Sequence, residues 1–110
     1  MIDLEKMAKE HAKLFENCDL ASQDAKIYEE VNEVMKELAD VVIVCGGIYR
    51  FNKSRANAML GDVFEVCELL AIAPDDLEAE VNRKWQVNLK RKWEWNGKTY
   101  HHVKGTGERK

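Results

Sequence analysis

The chain has 110 residues and a formal net charge of −3, with 45% hydrophobic and 34% charged residues, which suits one domain with a modest core whose remaining apolar surface another subunit can cover. Acids and bases are spread along it, so there is no global positive field to hold a phosphate backbone, and nucleic acid is excluded as the main partner. An acidic protein that handles phosphates needs metal ions instead.

The first element is "LEKMAKEHAKLF", with Asp3 as its N-cap and Leu4, Met7, Ala8, His11, Leu14 and Phe15 at helical spacing. "NCD" breaks it. Ser22 can cap a second helix running from Gln23 at least to Cys45; Gly46 and Gly47 weaken it, although helix can persist to Phe51. "VVIVC" continues the stripe of Ile27, Val31, Val34 and Leu38 and is read as helix. "RFNKSRAN" is the candidate loop, and "AMLGDVFEVCELL" a third helix. Pro74, with Asp75, Asp76 and Glu78, opens a fourth, "PDDLEAEVNRKWQVNLKRKW", because proline and acids suit a first helical turn. No segment alternates with period two for long enough to make a sheet. The expected fold is all-α, a single helical domain over residues 1–95 with an irregular tail over 96–110.

Cys18, Cys45 and Cys67 have no C-x-x-C spacing, and two of them fall in apolar runs, which suggests reduced core thiols. "MIDLEKMAKEH" is charged where a signal peptide needs apolar residues, and no apolar run approaches the roughly 20 residues that span a bilayer. A cytoplasmic protein without membrane contact is expected.

The second helix poses a question of charge. At roughly 100° per residue, Ile27, Val31, Val34, Leu38, Val41, Val42 and Cys45 form one stripe, while Glu30, Glu33, Glu37 and Asp40 run along its edge instead of lying opposite it. Acids three and four apart repel, so something cationic should share that edge. On the third helix Asp62 and Glu65 flank the stripe of Met59, Val63, Val66, Cys67 and Leu70 in the same way. Two such helices packed antiparallel would bring acid pairs into one groove. Helical bundles build divalent-metal sites in this manner, and hard oxygen ligands suit Mg²⁺ or Mn²⁺. A solvated, salt-bridged acidic face is the alternative.

Glu29, Glu30 and Glu33, then "LGDVFEVCELL", then "DLEAEVNRKWQVNLKRKW" together resemble the MazG-like all-α nucleoside triphosphate pyrophosphohydrolases. Their pattern is an E-x-x-E pair, an E-x-x-D pair on the next helix, and a later K-x-x-x-N-x-x-R, here Lys84, Asn88 and Arg91. The resemblance covers about residues 26–93. It implies an antiparallel four-helix bundle, a homodimer or a dimer of dimers, and Mg²⁺-dependent hydrolysis of a nucleoside triphosphate to the monophosphate and pyrophosphate. It also implies roles: Glu30, Glu33 and Asp62 as metal ligands, Glu29 or Glu37 orienting the water, and Lys84, Asn88 and Arg91 on the substrate. One departure stands out. Met59 falls where a ligand glutamate is expected, and Glu65, Glu37 or Asp40 must make up the missing ligand. Glu37-x-x-Asp40 matches E-x-x-D by letter but shares its helix with Glu33.

Trp85 and Trp93 read as packing residues, and Trp95 and Tyr100 as side chains able to close over a ligand. His101 and His102 form no metal set, and Lys84 and Arg91 would equally complement the C-terminal end of a helix.

Overall fold

The computed structural model describes residues 1–103. Four helices make up most of them: α1 (Leu4–Leu14), α2 (Leu20–Tyr49), α3 (Lys53–Leu69) and α4 (Pro74–Lys90), followed by strands β1 (Trp93–Trp95) and β2 (Tyr100–His102). No helix among these residues is long and apolar enough to cross a membrane. The chain forms two compact units, Met1–Val34 and Met35–Lys110, dividing within α2.

In the first unit, the Asp3 carboxylate accepts from the Lys6 amide at 3.0 Å and fixes the start of α1. The helix keeps its stripe but buries none of it: Leu4, Met7, Leu14 and Phe15 are all exposed. The turn to α2 ends in a capping box that the sequence reading misplaces. Asp19 is the cap, accepting from the Ser22 amide at 2.8 Å, while the Ser22 hydroxyl accepts from the Asp19 amide at 3.0 Å. Helix therefore begins at Leu20, three residues before the expected Gln23.

In the second unit, α2 passes through Gly46 and Gly47 to Tyr49, and the expected loop contracts to Arg50–Asn52 because Asn52 caps α3, accepting from the Arg55 amide at 3.0 Å. The buried core is Ala39 and Cys45 of α2, Ala56, Val63 and Cys67 of α3, Ile72, and Leu77 of α4. Cys45 and Cys67 are free buried thiols, as their apolar runs imply. Burial pushes the Cys67 thiol above its ordinary pKa. Along the expected α2 stripe Val31, Leu38, Val42 and Cys45 are buried or half-buried, whereas Ile27, Val34 and Val41 are exposed.

Where an irregular tail is expected from Asn96, the chain makes a β-hairpin; positions 104–110 of that tail lie outside the described residues. β1 and β2 pair antiparallel with Trp93 opposite His102, Glu94 opposite His101 and Trp95 opposite Tyr100. Gly97 takes the left-handed φ of 95° at the turn, and Asn96 Oδ1 accepts from the amides of Lys98 and Thr99 at 3.0 and 2.8 Å. Strands of three residues are too short to show as a period-two run.

The end of α3 carries a local strain. The Ile72 amide donates to the Cys67 carbonyl at 2.8 Å and the Ala71 amide to that of Glu68 at 3.2 Å, the paired bonds of a Schellman turn. Ala71 therefore sits at φ 57°, where glycine is the usual residue. Ala71→Gly is expected to raise the stability by about 0.5–1 kcal/mol, since relief of the Cβ clash exceeds the added entropy of the unfolded chain. Chemical denaturation measures this, and a destabilised variant contradicts it.

Candidate functional site

The acids singled out in the sequence are divided between the two units. Glu29, Glu30 and Glu33 lie exposed on the first half of α2. Their edge does hold a cation: Lys26, one turn earlier, reaches Glu29 at 3.2 Å and Glu30 at 3.8 Å. The hydrogen bond to Glu29, then the charges of both acids, raise the Lys26 pKa above its ordinary value.

The other acids belong to the second unit. Glu37 is exposed on α2, and Asp62 and Glu65 on α3, where Met59 turns half-buried into the stripe. Asp40 has a partner from α4: its Oδ2 accepts from Lys84 Nζ at 2.9 Å, and the same ammonium donates to the Lys36 carbonyl oxygen at 2.7 Å. The Lys84 side chain is 19% exposed and that of Asp40 52%. An ammonium this close makes Asp40 a poor ligand for a second cation. Among the described residues no three His, Cys, Asp or Glu side chains converge as a ready metal set.

Helix α4 places Lys84, Asn88 and Arg91 together. Its inward line runs Leu77, Glu80, Val81, Lys84, Asn88, Arg91, all buried or half-buried, so the face that begins apolar becomes polar over its last two turns. Arg91 is the C-cap residue, its amide donating to the Asn88 carbonyl at 3.2 Å. Trp93 donates its indole Nε1–H to that same carbonyl at 2.8 Å. Asp40, Val44, Trp85, Asn88, Leu89 and Trp93 line an open cleft of about 500 Å³.

Trp85 and Trp93, read from the sequence as packing residues, are thus 46% and 41% exposed on the wall of this cleft. A large indole on a helix otherwise rich in charge was the available signal. Trp95 and Tyr100 pair with each other across the hairpin, ring centroids 5.3 Å apart.

Arg83 Nε donates to Glu80 Oε1 at 3.0 Å, and the Arg83 terminal nitrogen bonds the same oxygen. That bond holds the Glu80 carboxyl below its ordinary value and raises the Arg83 guanidinium.

Comparison with protein-family models, with curated proteins and with solved structures finds no match for this chain.

Three outcomes are expected. Lys84→Met should lower stability by about 1–2 kcal/mol, because the Lys36 carbonyl and Asp40 both lose a charged donor. A double-mutant cycle with Asp40→Asn should return a coupling of about 0.5–1 kcal/mol, modest because Asp40 is half exposed; zero coupling contradicts the pairing. The depressed Glu80 carboxyl stabilises the fold above the ordinary carboxylate range, and this contribution vanishes as pH falls through the lowered value. Glu80→Gln should therefore cost stability near neutral pH and nothing in strong acid, as measured by urea denaturation across pH.

Proposed function

We propose that the chain is a MazG-like nucleoside triphosphate pyrophosphohydrolase, built as an antiparallel four-helix bundle that works as a homodimer or a dimer of dimers. The observation that carries this reading is the polar line at the end of α4: Lys84 and Asn88 lie one turn apart on its half-buried face, Arg91 follows at the C-cap, and Asn88 lines the cleft. An ammonium, an amide and a guanidinium along one half-buried line offer donors suited to a phosphorylated ligand.

The chemistry divides among these residues as follows. Two of the three Lys84 ammonium hydrogens go to Asp40 and the Lys36 carbonyl, so the third is held in place to donate to a phosphate oxygen. Arg91 engages phosphate as a two-pronged donor, and Asn88 hydrogen-bonds the sugar or base. Glu30 and Glu33 lie one turn apart on α2, and Asp62 and Glu65 one turn apart on α3; each pair would offer the hard oxygen donors that Mg²⁺ or Mn²⁺ prefers. When bound, such an ion would offset the charge of the triphosphate and make a coordinated water easier to deprotonate. As the water oxygen bonds to the α-phosphorus, Glu29 or Glu37 would accept its proton and the bond from that phosphorus to the bridging oxygen would break, so that the bridging oxygen leaves with the pyrophosphate and the monophosphate remains. Asp40, paired with Lys84, is withdrawn from the ligand set and acts as the anchor of that lysine.

A second reading draws on the Lys26 pairs with Glu29 and Glu30: a non-catalytic helical module whose acidic face is solvated. Magnesium separates the two, because ligand acids give saturable binding and a raised melting temperature, while a solvated face gives only a weak, salt-like response. Glu33→Gln should reduce Mg²⁺-dependent pyrophosphate release to background with the helical signal intact. Asp40→Asn should leave magnesium affinity unchanged. Full turnover by the Glu33 variant, or loss of magnesium binding in the Asp40 variant, overturns the assignment.

A further inference from the structure

We infer that the cleft between the second half of α2, α4 and β1 is a base pocket and that it selects guanine. The inference rests on the nucleotide reading above and names the part of the substrate this cleft takes. Its volume, about 500 Å³, falls in the range of small-molecule sites. Its walls are largely apolar: Val44 of α2, Trp85 and Leu89 of α4, and Trp93, whose ring is fixed by its bond to the Asn88 carbonyl. Exposed indoles offer a planar ring a stacking surface worth roughly 1–3 kcal/mol per base.

Only two of the lining side chains named are polar, and they set the selection. Asp40 is an acceptor; Lys84 takes one acceptor position of its Oδ2, which leaves Oδ1 and the second lone pair of Oδ2 for a ligand. A carboxylate at the edge of a base is satisfied by two neighbouring N–H donors and repelled by lone pairs. Guanine presents its ring N–H and its amino group side by side. Adenine and cytosine place an acceptor nitrogen next to their amino group, and uracil and thymine flank a single N–H with carbonyls. Asn88, whose backbone carbonyl alone is used by Trp93 and Arg91, brings a side-chain amide able to donate to the guanine carbonyl. Lys84 joins the two functions: it clamps Asp40 in the cleft and turns its remaining hydrogen to phosphate.

Free nucleosides test this without metal, phosphate or turnover. Tryptophan fluorescence of the whole chain is titrated with guanosine, inosine, adenosine, cytidine and uridine in the absence of Mg²⁺. Guanosine should quench saturably and bind tightest. Inosine, which lacks only the 2-amino group, should bind roughly tenfold more weakly or worse, the cost of a lost hydrogen bond to a charged acceptor. Trp85→Phe should diminish the quench, and Asp40→Asn should abolish the preference of guanosine over inosine. Equal binding of guanosine and inosine by the unmodified chain, or no quench by any nucleoside, overturns the proposal. Guanosine binding with no triphosphate hydrolysed would leave the pocket standing and remove the pyrophosphohydrolase reading; hydrolysis indifferent to the base would do the reverse.

Discussion

One ammonium ties the second unit together. Lys84 reaches from α4 to two groups of α2, the Asp40 carboxylate and the Lys36 carbonyl, and it does so from the half-buried line where Leu77 and Val81 pack. A lysine at 19% exposure carries a desolvation cost that only paired, hydrogen-bonded partners offset. The bond therefore constrains both helices: α2 must present Asp40 and the Lys36 carbonyl to α4, and α4 must turn its polar final turns inward. The cleft lies beside that bond, with Asp40 of α2 and with Trp85 and Asn88 of α4 on its wall.

The acids of α2 are best understood through their cations. A run of carboxylates beside an apolar stripe is held in two different ways: Lys26 neutralises Glu29 and Glu30 from within the helix, in the open, and Lys84 neutralises Asp40 from another helix, partly out of water. Exposed pairs three and four apart are screened by water and add little to stability. The Asp40 pair acts in a less solvated setting and fixes a side chain at the cleft. Glu30, Glu33, Asp62 and Glu65 as ligands, with Glu29 or Glu37 at the water, are the acids through which the proposed metal chemistry would run.

Much of the helical architecture was legible in the sequence, for local reasons. Asp3 and Pro74 mark helix starts because a cap oxygen and a missing amide act within one turn, and the stripes of α2 and α3 announce themselves by period. Where two residues compete for one local role, the pattern misleads: Asp19 and Ser22 can both cap, and the reciprocal bonds between them decide for Asp19. The hairpin escaped because three-residue strands carry too little period, although Asn96-Gly97 is a turn signal. The Lys84–Asp40 pair joins residues 44 apart in sequence, a separation at which no local rule operates. The need for a cation on the acidic edge could be read; which lysine answers it could not. The same holds for Trp85, whose place on the cleft wall depends on β1 returning Trp93 to the end of α4.

The central claim is that the polar line of α4 and the acids of α2 and α3 serve hydrolysis of a nucleoside triphosphate at its α-phosphorus. Turnover in ¹⁸O-labelled water with Mg²⁺, followed by mass spectrometry of the products, tests it most directly. The expected result is one ¹⁸O in the nucleoside monophosphate and none in the pyrophosphate. Label in the pyrophosphate, release of inorganic phosphate with a diphosphate, or no magnesium-dependent turnover of any of the common ribo- and deoxyribonucleoside triphosphates would contradict it.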